Sequence, residues 1–340
     1  MSKTIEFSLL TQMLMMVLVF NMGCSPSNDI EPNSSPSIGS DSKPLDQVVL
    51  LLNWYPEAEH GGFYAANVHG IYKEFNLEVE IRPGGKTTVV PQELTLGRIE
   101  FGVANADDVV LAREQSAPLI ALMAPLQIGP RCIMVREDSG ISTFEGLENI
   151  TLQIDPSRPY VPFMKSKGFL SKDVKTVPYF GSVAQLVADP RTAQQAYSFS
   201  EPLMAEQAGV KVKTLMMSDI GYNPYASLLI TSEQYLAKNE DIAKRMVLAS
   251  IEGWKKYLEE PEQTNAYILL QNQQGMTAEA LTYGVENLKP LCVPEGFPEA
   301  SIGKMDSARW TTLVEQLKSL QMIEGKVKAE ECYTLKFLQD

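Results

Sequence analysis

Two stretches of the chain gather the residue types that recognise small polar molecules. One is "LNWYPEAEH", Leu52 to His60, where an apolar run ends in Asn53, Trp54 and Tyr55 and is followed by Glu59 and His60. The other is "ANADD", Ala104 to Asp108, with an echo in "YSFSEP", Tyr197 to Pro202. Trp54 and Tyr55 offer flat apolar faces, and Asn53 offers an amide that both donates and accepts. Asp107, Asp108 and Glu201 are carboxylates at helix starts. There they either cap the helix and complement its dipole or accept N–H groups from a ligand. His60 either bonds a ligand or caps the helix that follows. The chain has two histidines. His69 lies about two turns beyond His60 and reads as a surface residue, so no metal site is expected. Gly84-Gly85-Lys86 follows a strand; its N–H groups could receive a polar group at Gly85, or it is a plain turn. Tyr160, Tyr197, Tyr222 and Asn223 complete the candidates, the last two in a Gly/Pro-marked segment suited to a hinge, a ligand wall or both.

The elements that position these residues follow from periodicity. Val48–Leu52 is a continuous apolar run, as in a parallel strand covered on both faces. Helix and strand signals then alternate: helix Gly62–His69, strand Glu78–Arg82, helix Val89–Leu96, strand Phe101–Ala104, helix Asp107–Glu114 and strand Leu119–Ala124. This is an α/β pattern with a mainly parallel sheet. The alternation restarts near Gly129 and runs to Tyr225. A further strand, Ala226–Ile230, leads into a helical region in which Ile242, Met246, Val247, Ile251, Trp254 and Leu258 keep helical spacing. Trp254 is therefore expected in the core. Two α/β units and a helical tail imply two lobes around a cleft. Ligands of open α/β sheets sit beyond the carboxyl ends of strands, which selects the loops 53–61, 83–86, 105–108 and 198–201.

Bulk properties narrow the function. The 340 residues carry a net charge of −13, with 44% hydrophobic residues. Nucleic-acid binding, which draws on Lys and Arg at phosphates, is not expected. Phe7 to Phe20 is an apolar run, too short for a membrane span of about 20 residues and suited to a signal peptide. Gly23-Cys24 follows it directly and resembles a bacterial lipobox, although Asn21 stands where Leu is usual. Lipidation at Cys24, ordinary cleavage and a retained anchor all remain open. Ser25 onward is rich in Ser, Pro, Asn and Asp, the composition of a flexible tether. Three cysteines remain, Cys132, Cys292 and Cys332. They lack zinc-ligand spacing and read mainly as buried apolar residues, with one disulfide possible.

The blocks "LNWYPEAEHGGFYAANVHGIYKEFNLEVEIRPGG", "GRIEFGVANADDVVLAREQSAPLIALMA", "AQQAYSFSEPLMAEQAGV" and "GYNPYASLLIT" resemble the thiamine-pyrimidine-precursor binding proteins of ABC importers, which are related to the yeast-type thiamine pyrimidine synthase. The resemblance implies a type II periplasmic-binding-protein fold: two α/β lobes with a ligand cleft between them and a helical C-terminal region. The expected organisation is a signal peptide over 1–24, a tether over 25–46, lobe one over 47–128, lobe two over 129–225, and the remainder of lobe one over 226–340. It further implies an exported, lipid-anchored monomer that needs no cofactor, binds a flat heterocycle and presents it to permease subunits. The related synthase uses a lysine that holds pyridoxal phosphate and a histidine that it consumes. Ala104 and Asp108 fall at those positions here, and "GYNPYA" lacks the synthase's cysteines, so enzyme activity is not expected. A different solute on the same fold is the other alternative, either riboflavin or an alkylsulfonate. An anionic ligand would call on an arginine near a strand end: Arg82, Arg131 or Arg158.

Overall fold

The computed structural model describes residues 44–338. The expected signal peptide, Cys24 and most of the expected tether lie outside the described residues. Among the described residues, ten strands form two five-stranded sheets. The first contains β1 (Asp46–Leu51), β2 (Leu77–Arg82), β3 (Phe101–Ala104), β4 (Leu119–Met123) and, from far along the chain, β10 (Leu228–Ser232). Its order is β2-β1-β3-β10-β4. The second contains β5 (Arg131–Arg136), β6 (Thr151–Gln153), β7 (Lys175–Val177), β8 (Thr192–Tyr197) and β9 (Val212–Met216), in the order β7-β6-β8-β5-β9.

The strands joined by helical crossovers pair in parallel: β1 with β2 and β3, and β6 with β7 and β8. Strands that enter a sheet from the other lobe run antiparallel. β10 does so between β3 and β4, and β5 between β8 and β9. Alternation of helix and strand signals therefore gives the parallel pairs, and the reversed strands follow from the chain crossing twice between lobes. β10 begins two residues later than its apolar pattern suggests. Ala226 still belongs to the crossover, and Ser227 sits in the left-handed region at φ 55°.

Lobe one is packed around a close helix crossing. The helix Gly61–Val68 packs on the long helix Glu240–Glu259, whose Trp254 is fully buried. A Cβ on Gly253 would overlap the Gly62 carbonyl, and a Cβ on Gly62 would overlap the Trp254 indole. Only glycine permits this approach. It fixes the helix directly behind Glu59 and His60, and with it the first wall of the cleft. Cys132, Cys292 and Cys332 are buried free thiols, in keeping with their apolar reading.

Candidate functional site

The loop after β1 is built from the sheet outwards. Asn53 Oδ1 lies 2.9 Å from His60 Nε2. His60 is fully buried, and burial lowers its pKa, so the ring is neutral. The neutral ring donates through Nε2 and leaves the Asn53 NH₂ group to donate elsewhere. His60 thus stands behind Asn53 and orients it. Trp54 is 37% exposed and meets Tyr55 edge-on, with ring centroids 5.2 Å apart. The Pro83–Lys86 loop closes over this pair: Gly84 N–H donates to the Trp54 carbonyl (2.9 Å), and a Cβ on Gly85 would lie 3.0 Å from the Tyr55 ring. Gly85 therefore leaves room for the Tyr55 ring, which a side chain there would crowd.

Glu59, in the short helical turn Ala58–His60, is buried and accepts a hydrogen bond from Ser227 Oγ (2.7 Å). The strained backbone of Ser227 thereby ties the crossover to the first wall. Neighbouring Glu57 faces two further carboxyls. Burial, then Glu59, then Glu201 push its pKa well above the usual carboxylate range. Glu201 comes from lobe two, at the start of the helix Glu201–Gln207. It accepts from the Tyr197 N–H (2.8 Å) and the Tyr179 hydroxyl (3.1 Å), and burial raises its pKa too. Carboxyl groups of both lobes thus share one poorly solvated region, where each charge makes the next costlier.

The inner end of the cleft brings Asp107, Tyr197 and Tyr222 together with Arg131, beside Asn105 and the backbone of both crossovers. Asp107 opens the helix Ala106–Glu114 and is buried. It accepts from the Tyr222 hydroxyl (3.2 Å) and the Asp108 N–H (3.1 Å). Burial, then Asp108, push its pKa up to about 6 against the pull of Arg131 and Arg158. Asp108 is engaged twice: Oδ2 accepts the Asn105 N–H (3.3 Å) as a helix cap, and Oδ1 pairs with Arg158 of lobe two at 3.1 Å. Arg131 lies between the rings of Tyr160 and Tyr197, each centroid 4.9 Å from the guanidinium carbon, and donates to the Tyr197 hydroxyl (3.0 Å). Tyr160 itself is buried and donates to Gln195 Oε1 (2.6 Å).

Asn223 is placed differently from the wall residues. Its Oδ1 accepts from the Gly129 N–H (2.8 Å) and from Arg309 Nη2 (3.0 Å), so it ties one crossover to the other. Arg309, on the helix Ser307–Ser319, also donates to the carbonyls of Asn223 (2.6 Å), Gln127 (2.5 Å) and Pro224 (3.2 Å). Its guanidinium stacks 3.7 Å from the Tyr225 ring centroid. One partly buried cation thus fastens both connections between the lobes. Sequence reading missed Arg309: "IGKMDSARWTTL" shares in the family resemblance, but no spacing rule singles out its arginine. It also left out Glu57 and Tyr179, which lack any motif; their position beyond strand ends was the available signal. Arg82, by contrast, pairs with Glu80 on β2 (2.7 Å) and is exposed.

Comparison with known proteins adds two kinds of likeness. The family model described as NMT1/THI5 like matches residues 57–264. The chain is 23% identical to the riboflavin-binding protein RibY of Chloroflexus aurantiacus, with 95% of each chain covered. It is also 23% identical to the formylaminopyrimidine-binding protein of Halalkalibacterium halodurans, over 87% of this chain and 92% of the relative. Among solved structures, the periplasmic aliphatic sulphonate binding protein SsuA of Escherichia coli superposes with a TM-score of 0.66 at 14% identity. That match covers 84% of this chain and 91% of the other. The two-lobed architecture is the type II periplasmic-binding-protein fold.

Proposed function

Since the chain belongs to the NMT1/THI5-like family, we propose that it is the extracytoplasmic solute-binding protein of an ABC importer and that it takes a flat nitrogen heterocycle of the thiamine-pyrimidine type. The observation that carries this reading is the cleft itself. Asp107 of lobe one, Tyr197 of lobe two and Tyr222 of the crossover line one cavity, and on this reading Asn53 and Trp54 of lobe one and Tyr160 and Glu201 of lobe two extend it. Aromatic faces with a few fixed donors and acceptors suit a flat ring bearing amino groups. Relatives named for riboflavin and for formylaminopyrimidine support the class, since both molecules are flat heterocycles. Closure of the lobes on the ligand is a population shift towards a state that a permease can recognise.

No bond is made or broken in this account. The position that would need an amine is Ala104, a buried residue of β3, and the position that would need an imidazole is Asp108, which is held by Arg158. Without the amine there is no Schiff base. The same reading assigns residues 1–24 to export, Cys24 to lipid attachment and residues 25–46 to a tether. A monomer at the outer face of a membrane would then hand ligand to permease subunits.

The test is mass spectrometry of small molecules released from the purified chain, with pyridoxal phosphate added in a parallel sample. A released pyrimidine or flavin supports the reading. Pyridoxal phosphate that is bound and consumed would overturn it in favour of a synthase.

A further inference from the structure

Phe180 is the most exposed aromatic side chain among the described residues, at 73%, although the chain on both sides of it is held in place. Its position follows from the second sheet. β6, β7 and β8 run parallel, so their carboxyl ends lie on one side of lobe two. The loops there carry Arg158 after β6, Phe180 after β7 and Glu201 after β8. Arg158 already reaches Asp108 of lobe one, so that side of the sheet faces the cleft. Tyr179 donates to Glu201 at 3.1 Å, and Gly181 turns the chain in the left-handed region at φ 78°, a conformation open to glycine. A Cβ on Gly181 would lie 3.9 Å from Lys86 Nζ, which comes from the lobe-one loop after β2. β2 and β7 are edge strands, and the crossovers leave from the opposite edges, β4 and β9. The loops after β2 and β7 therefore meet at the mouth of the cleft, away from the hinge.

Trp54 stands beside this meeting point. Its carbonyl accepts the Gly84 N–H of the same lobe-one loop, and its ring is partly exposed. Each lobe thus leaves one aromatic ring in water near the mouth, and covering such rings is favourable. The neighbours of Phe180 are covered already: Tyr179 is half-buried and Val183 is buried. The Phe180 side chain has no polar group, so what it can offer is an apolar face. Resting on the heterocycle reading given above, we propose that Phe180 is a further ligand-binding residue, a cap at the cleft mouth. On lobe closure its ring covers the outer side of the bound heterocycle, opposite Trp54. Entry takes place with the cap withdrawn, so the contribution of Phe180 falls on ligand release.

The experiment is stopped-flow binding of riboflavin and of 4-amino-2-methylpyrimidine to the full chain, read by tryptophan fluorescence, for wild type, Phe180→Ala and Phe180→Tyr. Phe180→Ala should raise koff about tenfold or more, from the loss of a covered aromatic face, while kon stays within about threefold. Phe180→Tyr keeps the face and should release ligand within about threefold of wild type. The ligand-free thermal midpoint of Phe180→Ala should match wild type, because the ring is exposed there. A lowered midpoint would give the ring a structural role and overturn the assignment. So would an unchanged koff, or an effect on kon alone, in a chain whose wild type binds. Failure of wild type to bind either compound would overturn it together with the heterocycle reading.

Discussion

At the level of single residues, the cleft separates solvent-exposed groups from the groups that hold them. Trp54 is partly exposed and supports little else, whereas His60 is buried behind Asn53. Trp54→Ala should therefore weaken ligand binding by about 1–2 kcal/mol while shifting unfolding stability by no more than about 0.5 kcal/mol. Titration alongside thermal unfolding checks both; unchanged affinity would remove Trp54 from the site. Asp107 carries a pH signature. Its folded pKa of about 6 lies above the ordinary value of 3.8, so the folded state binds the extra proton between them. Stability from this group is full below about pH 4 and lost as pH rises through about 6. His60 acts with the opposite sign: burial lowers its pKa, so its contribution is lost as pH falls below its ordinary 6.5. The comparison that isolates Asp107 is Asp107→Asn against wild type. The variant should gain on the order of 2 kcal/mol relative to wild type between pH 4 and pH 7. A pH-independent difference would contradict the assignment. The strand-end rule drew attention to the loops that carry Asn53, Trp54, Asp107 and Glu201. It could not show that His60 and Asp108 spend their hydrogen bonds on Asn53, Asn105 and Arg158, because those partners come from tertiary packing.

At the scale of elements, the sequence carries the alternation of strands and helices but not the way the chain returns. The apolar runs of β1, β3 and β4 and the spacing of Trp254 in its helix are local signals. The antiparallel insertion of β10 between β3 and β4 is not, since it depends on where a distant strand comes back. The glycine pair at the helix crossing is equally silent in one dimension. Gly253→Val should destabilise the protein by about 1–3 kcal/mol by forcing the helices apart at Gly62 and Ala66, measured by denaturant unfolding. The crossovers give a second prediction. Arg309 donates to the carbonyls of both connections and to Asn223, and stacks on Tyr225. Arg309→Gln should lower stability by about 1–3 kcal/mol, because it strands several partly buried acceptors. It should also widen the distribution of lobe separations, read by small-angle scattering. A variant with wild-type stability and scattering would show that the crossovers are held by other contacts.

At the scale of the whole molecule, two lobes joined by two short crossovers are arranged to close on something. Asp108 of lobe one already reaches Arg158 of lobe two, and the carboxyls of Glu57 in lobe one and Glu201 in lobe two disfavour each other's charge. The first contact favours closure and the second opposes it while the carboxyls are charged. Ligand N–H groups that satisfy those carboxyls would tip the balance. The most direct measurement of the central claim is calorimetric titration of the purified full chain with riboflavin and with aminopyrimidines, followed by thermal unfolding with and without each compound. The account predicts one-to-one binding of at least one flat heterocycle and, at a hundredfold excess over its Kd, stabilisation by about 2.7 kcal/mol. Binding of an alkylsulfonate in preference to every heterocycle, or no stabilisation by any heterocycle, would contradict it.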